Sequence, residues 1–464
     1  MDTGCMDLLV HLLACIFGTG SWVAINGLWV ELPLLVNQLP EGWYLPSYLT
    51  VIIQLANVGP LFVTLMHRFK PGKLNEVIVI YSIVILGILA CLLLALFWQR
   101  TTVIGGVLHS TAFLIITFFL SLVDCTSSVT FLPFMMRLQP KYITTYFIGE
   151  GLSGLLPGII ALAQGASMVN CVNVSQILNS TVINVNDTSG FHQMETQYMP
   201  PNFSTEIFFF LLAAMMVFCL VAFFFLTRVP TILEISRENL VASSVNINSS
   251  EVTTNVQDSR ELFGSNDSST LGPTPEHSEG VAGTQCKEES YSVPQLVFIY
   301  FLVAWVNSLT NGILPSVQTY SCMPYGNMAY HLSATLSSMA NPLACFIAMF
   351  VPRRSLLLLG FLALVGTGFG TYNMAMAVLS PCPLLQHSEW GDALIIISWV
   401  LFTGTLSYVK VMIGIILRDQ NYSALVWCGA TVQLGSMVGA LTMFPVVSVY
   451  NIFKSSDCNT KCSF

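Results

Sequence analysis

Eleven apolar runs, each long enough to cross a bilayer as a helix, constrain the fold of this chain more than any other feature. Only 9% of its 464 residues are charged, whereas a water-soluble domain carries about a quarter. We therefore predict an all-α polytopic membrane protein with eleven transmembrane helices. They cover residues 8–30, 47–66, 76–98, 110–135, 143–166, 206–228, 294–315, 331–351, 356–379, 393–417 and 424–450.

The first run could be mistaken for a cleaved signal peptide. The sequence there begins with Asp2 and Asp7, and it lacks both a basic n-region and a small-residue cleavage site. We therefore interpret this run as the first transmembrane helix.

Basic residues predict the orientation of the chain. With a cytoplasmic N-terminus, twelve Lys and Arg side chains fall in inner loops and three in outer loops, as the positive-inside rule requires. An odd number of helices then places the C-terminus outside. Four glycosylation sequons before the sixth run support the same orientation, because glycosylation occurs on the lumenal side. They are Asn173, Asn179, Asn186 and Asn202.

A polar segment divides the chain into two membrane halves. Residues 229–292 are rich in Ser, Asn, Thr and Glu and show no apolar periodicity, which is typical of a disordered linker. We predict an N-terminal six-helix bundle at 1–228, with a glycosylated outer loop at 167–205. The linker is cytoplasmic, and a five-helix bundle with an extracellular tail follows at 293–464.

Short matches at a nearly constant offset indicate that the two halves are related. The matched segments are Asn26-Gly27-Leu28 and Asn311-Gly312-Ile313, 285 positions apart; Ala56-Asn57 and Ala340-Asn341, 284 apart; and the Ser121–Asp124 and Ser407–Lys410 segments, 286 apart. Matched runs share their orientation in the membrane, so the repeats are parallel, and substrate is expected between the halves. This 6+5 pseudo-repeat is typical of major-facilitator-like transporters.

Three charged residues inside the runs need partners or a titrating role. Symmetry places Asp124 opposite Lys410 across a central cavity, and Glu150 lies in a run of small residues that another helix can approach closely. One interpretation is proton coupling or gating, because charges within a membrane are usually functional. The alternative is structural: a permanent Asp124–Lys410 salt bridge, with Glu150 bonded to a neighbouring helix.

The runs also contain aromatic, amide and hydroxyl side chains that could bind a substrate. Trp22, Asn26 and Trp29 recur at spacings of four and three and so share a helical face, although an interfacial tryptophan belt with a capping asparagine would give the same pattern. The full set of candidate substrate-binding residues is Trp22, Asn26, Trp29, Glu31, Gln54, Asn57, Thr126, Ser128, Asn307, Thr310, Asn311, Asn341 and Tyr408.

These groups suit a neutral, flat, polyhydroxylated solute such as a nucleoside, a sugar or a vitamin. They suit an inorganic ion poorly, because an ion site concentrates charges or carbonyl oxygens. The sequence contains no Walker motif, and its runs contain no metal-ligand or nucleophile cluster. We therefore expect no enzyme activity, no cofactor and no metal. No nucleic-acid-binding module occurs, so the expected partners are the substrate and the lipid bilayer.

Cysteines on the outer side can form disulfides. We favour a bond between Cys382 and Cys458, which would tether the outer tail. A local bond between Cys458 and Cys462 is the alternative, because spacing does not give connectivity.

Several long blocks resemble the vertebrate riboflavin transporters. They include NGLWVELPLLV at 26–36, LVDCTSSVTFLPFM at 122–135, GEGLSGLLP at 149–157 and NSLTNGILPSVQTYSC at 307–322. The resemblance implies sodium-independent uptake of riboflavin at the plasma membrane, favoured by acid, and an eleven-helix fold similar to equilibrative nucleoside transporters. Aromatic side chains would then sandwich the isoalloxazine ring, and amides and carboxylates would bind the ribityl hydroxyls.

Two other functions stay open at this point. A carrier of another flat polyhydroxylated solute, such as a nucleoside, would need the same kinds of side chain. A cell-surface receptor, for example one used by a virus, would use the glycosylated loop but would need neither the repeat nor the buried charges. A monomer is enough for the carrier mechanism.

Overall fold

The computed structural model describes residues 3–70, 74–135, 138, 140–165, 169–173, 194–198, 201–228, 291–386, 388–420 and 422–455. Residues 229–290 of the predicted linker, the sequons at Asn179 and Asn186, and both Cys458 and Cys462 lie outside these ranges. Cys382 is disulfide-bonded. Its pairing with Cys458 stays a prediction.

Helices account for most of the described residues. Those of the first half are α1 (Thr3–Thr19), α2 (Val23–Leu35), α3 (Leu45–Leu55), α4 (Val58–Phe69), α5 (Glu76–Phe97), α6 (Thr111–Met135), α7 (Pro140–Gln164) and α8 (Thr205–Leu226). Those of the second half are α9 (Val293–Ser308), α10 (Leu314–Cys322), α11 (Asn327–Phe350), α12 (Leu356–Val378), α13 (Glu389–Gln420) and α14 (Tyr422–Ser448).

Shorter elements connect the helices. Two antiparallel hairpins lie outside the apolar runs, one of β1 (Thr102–Ile104) with β2 (Val107–His109) and one of β3 (Val169–Asn173) with β4 (Met194–Tyr198). The segments Gly42–Tyr44 and Met323–Tyr325 form 3₁₀ turns, and Leu309–Ile313 forms a π-helical turn between α9 and α10.

Nine helical stretches of the described chain are long and apolar enough to span a bilayer, and a tenth is added when α1 and α2 are counted as one bent span. The prediction of a mostly helical, multi-span membrane protein is confirmed. The count of eleven is not, because α11 is long enough but is not among these stretches. That helix covers residues 331–350 of the predicted run at 331–351, but Asn327, His331, Asn341 and several serines lower its mean hydropathy.

Three spans are interrupted, two of them at segments that the sequence repeat had singled out and the first a few residues before Asn26. Helices α1 and α2 meet at an angle of 50°. Helices α3 and α4 are separated at Ala56 and Asn57, and the π-helical turn separates α9 from α10. Gly20, in the first break, allows α8 to pack closely there, because a Cβ at this position would collide with the side chain of Cys219.

The two halves pack against each other within one compact unit. Helix α11 packs against α7 and α2, and α3 packs against α10 and α14. By contrast, α4, which continues the span begun by α3, packs against α6 of its own half. Contact between this span and the second half is therefore concentrated on α3, toward one end of the bundle.

We call this closed end the hairpin end, because it carries Gly42–Tyr44 and the β1–β2 hairpin. The ring centroids of Trp43 and Phe453 lie 5.5 and 5.4 Å from that of Tyr320. One turn into α3, Ser47 Oγ lies 3.0 Å from Ser448 Oγ. Thr50 Oγ1 then lies 3.1 Å from Ser316 Oγ, joining the two halves.

A buried carboxylate attaches the β1–β2 hairpin to the segment that carries these rings. Glu41 is only 6% exposed. Its Oε1 accepts a bond from the Ser110 amide at 2.8 Å, and its Oε2 accepts one from the Ser110 hydroxyl. His109 Nδ1 lies 3.4 Å from Oε1. The hairpin thereby holds Trp43 in place against Tyr320.

Replacing Glu41 by Gln should loosen the closed end. Hydrogen bonds to a charged group contribute about 1.5–3 kcal/mol, and losing part of this should raise the labelling rate of a buried thiol close to Tyr320 about tenfold. Cys322 is such a reporter, since it is a free cysteine and fully buried. Its reaction with maleimide can be followed by peptide mass spectrometry. Glu389→Gln, at an exposed acid on α13, is the matched control, and equal labelling of both variants would refute the latch.

Candidate functional site

The two halves approach most closely where glycines of α7 face α11. A Cβ at Gly154 would lie 3.4 Å from the Ser338 carbonyl oxygen and 3.7 Å from Pro342 Cδ, both on the opposite half. Asn26, half-buried on α2, donates from Nδ2 to Ser153 Oγ at 3.3 Å. Asn26 therefore lies where three helices from the two halves converge.

An opposite-charge pair lies one turn further along this interface. Glu150 on α7 is half-buried, and Lys410 on α13 is exposed although it lies within the span Glu389–Leu417. The two charges attract each other, and Cys345 of α11 lies in the field of both. Lys410 keeps solvent-exposed surface while it lies within electrostatic reach of Glu150 of the other half, which indicates accessible space between the halves. We call this space, bordered by Glu150, Asn341 and Lys410, the central gap.

Asp124 occupies a different place from the one expected by symmetry. It is fully buried inside the first half, and its Oδ2 accepts a hydrogen bond from the Ile25 amide at 2.9 Å. Ile25 lies in the first turn of α2, so the carboxylate satisfies an amide that the break in the span leaves without a helical partner. The expected Asp124–Lys410 pairing is thus wrong, and Glu150 is the carboxylate coupled to Lys410.

A serine on the same face of α6 fixes the other side of the break. Ser127 Oγ donates to the Ser21 carbonyl oxygen at 2.8 Å. Together, Asp124 and Ser127 hold the two ends of the interrupted span.

Glu31 also lies inside the first half. It is fully buried, and Gln164 Nε2 donates to its Oε1 at 3.1 Å. The same Nε2 donates to the Phe203 carbonyl oxygen at 3.3 Å. Glu31 therefore joins α2 to the end of α7 and the start of α8. Trp22 and Trp29 are half-buried, but Trp22 is the residue before α2 begins and so lies in the break itself.

The second break of the first half contains two of the predicted amides. Asn57 Nδ2 donates to Gln54 Oε1 at 3.2 Å, and Asn57 Oδ1 has no partner among the described residues. One turn before Gln54, Thr50 bonds to Ser316 of the second half. These amides therefore lie just beneath the closed hairpin end.

On α6, the two predicted hydroxyl residues differ in exposure. Thr126 is buried, and its hydroxyl donates to the Leu122 carbonyl oxygen at 2.6 Å. Ser128 is exposed.

In the second half, the π-helical turn presents the matching amide and hydroxyl. Asn311 is half-buried, and its Nδ2 contacts Asn307 Oδ1 at 3.2 Å and Ser436 Oγ at 3.0 Å. Thr310 is also half-buried, and its hydroxyl donates to the Val306 carbonyl oxygen. Irregular turns of this kind are frequent at functional sites.

The remaining two candidates are on α11 and α13. Asn341 is exposed beside Pro342, at the close approach of α7. Tyr408 is half-buried, and its hydroxyl donates to the Val351 carbonyl oxygen at 2.7 Å. Tyr408 thereby anchors α13 to the end of α11.

Sequence reasoning missed several polar residues at these interfaces. Ser153 and Ser436 hold Asn26 and Asn311, and each is unremarkable in sequence. His331 is 2% exposed on α11, and the Ala161 backbone of α7 lies within hydrogen-bonding reach of its ring. A histidine at the start of an apolar run was the one available signal. The described residues contain no group of three side chains that could hold a metal ion.

Solved structures with a similar fold are transporters. One is a D-xylose–proton symporter, with a TM-score of 0.52, 13% identity, and coverage of 95% of this chain and 88% of that chain. Another is a POT family transporter crystallised with 5-aminolevulinic acid, with a TM-score of 0.53, 10% identity, and coverage of 96% and 92%. At these identities the likeness concerns the fold alone, which is the major-facilitator type.

Comparison of the sequence with known families and proteins identifies relatives along nearly the whole chain. The family described as "Solute carrier family 52, riboflavin transporter" matches residues 6–455. Riboflavin transporter member 3-A of Danio rerio is 60% identical over 98% of this chain and 100% of its own length. Member 3 of Homo sapiens is 54% identical over 98% and 100%. This chain therefore belongs to the riboflavin transporter family, solute carrier family 52.

Proposed function

We propose that this protein takes up riboflavin across the plasma membrane by alternating access, without sodium coupling and favoured by acid outside. The observation that carries the proposal is the unequal closure of the two halves. Hydroxyl and aromatic contacts close the hairpin end, while Lys410 is exposed in the central gap. A carrier that is closed toward one side of the membrane has this arrangement.

Alternating access requires a closure that can open. The contacts Ser47–Ser448 and Thr50–Ser316 are neutral hydroxyl pairs. Each such bond contributes about 1 kcal/mol, so the binding energy of a substrate is large enough to redistribute them. In the proposed orientation the N-terminus is cytoplasmic, so the hairpin end is extracellular and this closure is the outer gate.

Substrate recognition in this proposal uses side chains at the three breaks. Trp22 and Trp29 offer aromatic faces to the flavin ring, and the amides of Asn26, Asn57 and Asn311 offer donors and acceptors to its polar edge and ribityl hydroxyls. All five are half-buried, so each side chain is partly fixed and partly open to solvent.

The acid preference is assigned to Glu150. Protonation of this carboxylate would remove its attraction to Lys410 across the gap and so change the balance between the two access states. Asp124 has a different role in this scheme: it holds the break that positions Asn26.

Riboflavin uptake should be measurable in cells that express the chain. Uptake of radiolabelled riboflavin should saturate, fall with excess unlabelled riboflavin, and persist when choline replaces sodium. Excess uridine should leave it unchanged, which separates a flavin carrier from a nucleoside carrier. Uptake no higher than in empty-vector cells, at confirmed surface expression, would refute the proposal.

Glu150→Gln should abolish the response to pH. Glutamine imitates the protonated carboxyl, so the ratio of uptake at acidic to neutral pH should fall to about 1. The matched control is Glu389→Gln, which should keep the wild-type ratio. A Glu150→Gln variant with normal surface expression and an unchanged pH profile would exclude this role.

Asp124 should behave as a positioning residue. Asp124→Ala removes the acceptor for the Ile25 amide and should lower the unfolding free energy by about 0.5–2 kcal/mol, as the loss of a helix cap does. Asp124→Asn keeps an acceptor oxygen and should retain both the thermal stability and the pH response of uptake. Loss of the pH response in Asp124→Asn, at normal stability, would assign the proton site to Asp124 instead.

A further inference from the structure

An apolar groove lies on the outer surface of the second half, away from the central gap. It is formed between α9 and α12 near the ends at which both helices begin, and its volume is about 670 Å³. Phe298 on α9 and Leu357, Gly360 and Phe361 on α12 line it. Leu357 is 89% and Phe361 61% exposed, so the groove opens to the hydrocarbon around the protein.

The depth of this groove depends on a glycine. A Cβ at Gly360 would lie 3.3 Å from Phe298 Cζ, which is tighter than ordinary van der Waals contact. Any larger side chain at this position would therefore fill the space between the two helices. Gly368, two turns along the same helix, has no neighbour within 4 Å of a Cβ and lies on open surface.

Two arginines lie close in the chain to the groove. Arg353 and Arg354 are exposed and come just before α12, whose first residue, Leu356, lines the groove. On the opposite wall, Gln295 lines the same end, and its Oε1 accepts bonds from the amide and hydroxyl of Ser292. Arginine is well suited to a phosphate because its fixed fork of donors matches phosphate oxygens.

We infer that this groove binds an anionic glycerophospholipid, with an acyl chain against Phe298, Gly360 and Phe361 and its phosphate at Arg353. An apolar channel with arginines close in the chain to one end matches a lipid with an anionic headgroup, whereas a zwitterionic lipid offers less to the charge. In the proposed orientation this end faces the cytoplasmic leaflet, which is the anionic one.

Occupancy would link two elements of the transport machinery. Helix α9 runs directly into the π-helical turn that carries Asn311, and α12 packs against α13, which carries Lys410. A lipid between α9 and α12 stabilises the arrangement in which it is bound. The inference does not depend on the identity of the transported solute, so it can fail or hold independently of the proposed function.

The test uses the purified full-length chain in detergent, with added phosphatidylglycerol or phosphatidylcholine. Bound lipid is counted by native mass spectrometry, and the melting temperature is recorded with each lipid. Wild type should retain phosphatidylglycerol in preference to phosphatidylcholine and should melt at a higher temperature with it. Gly360→Leu should reduce retention of phosphatidylglycerol about tenfold, whereas Gly368→Leu should match wild type.

Arg353→Gln provides a second variant that leaves the groove intact. It should bind both lipids equally, because only the charge selectivity is removed. Equal retention of both lipids by wild type would overturn the inference, and so would unchanged phosphatidylglycerol binding in a correctly folded Gly360→Leu variant. Displacement of phosphatidylglycerol by a sterol, with Arg353→Gln behaving as wild type, would assign the groove to a sterol instead.

Discussion

A bilayer core offers no water to backbone amides and carbonyls, so every break in a spanning helix must be satisfied from within the protein. The break between α1 and α2 shows how this chain meets that constraint. Asp124 accepts a bond from the Ile25 amide, and Ser127 donates to the Ser21 carbonyl oxygen. The position of Asn26, one residue further along, rests on these two contacts from α6. The amide that touches Ser153 at the interface of the halves is thereby placed by a carboxylate that never reaches the gap.

The repeat relates the two halves but does not make them chemically equivalent. Asn26 and Asn311 correspond in sequence, and each amide contacts a serine hydroxyl, on α7 in the first half and on α14 in the second. Asp124 and Lys410 also correspond, yet one is fully buried and the other exposed. The carboxylate that interacts electrostatically with Lys410 is that of Glu150 on α7. Each half therefore uses the shared framework to hold a different charged group.

The chain order of these elements explains how one movement can affect both ends of the bundle. The span of α3 and α4 is divided by a break. On α3, hydroxyl groups contact the second half, whereas α4 packs against α6 of its own half. Asn57 lies at that break. In the proposed alternating access, opening of the hairpin end would reach Asn57 through this single interrupted helix, and neutral hydroxyl contacts of about 1 kcal/mol each would keep the two arrangements close in free energy.

The sequence by itself determined the membrane class, the helical content and the family, and it predicted a two-half organisation. Each rests on apolar length, repeated segments or long blocks of residues, which are read locally along the chain. It also located the segments around Asn26, Asn57 and Asn311, because polar residues in an apolar run stand out. Tertiary structure alone decided which buried charges face each other and which residues support the amides. The position of a residue in a repeat predicts its helix and its depth in the membrane. The direction of its side chain depends on nearby helix breaks and on neighbouring residues. Asp124, for example, points toward the Ile25 amide inside the first half and not toward the gap.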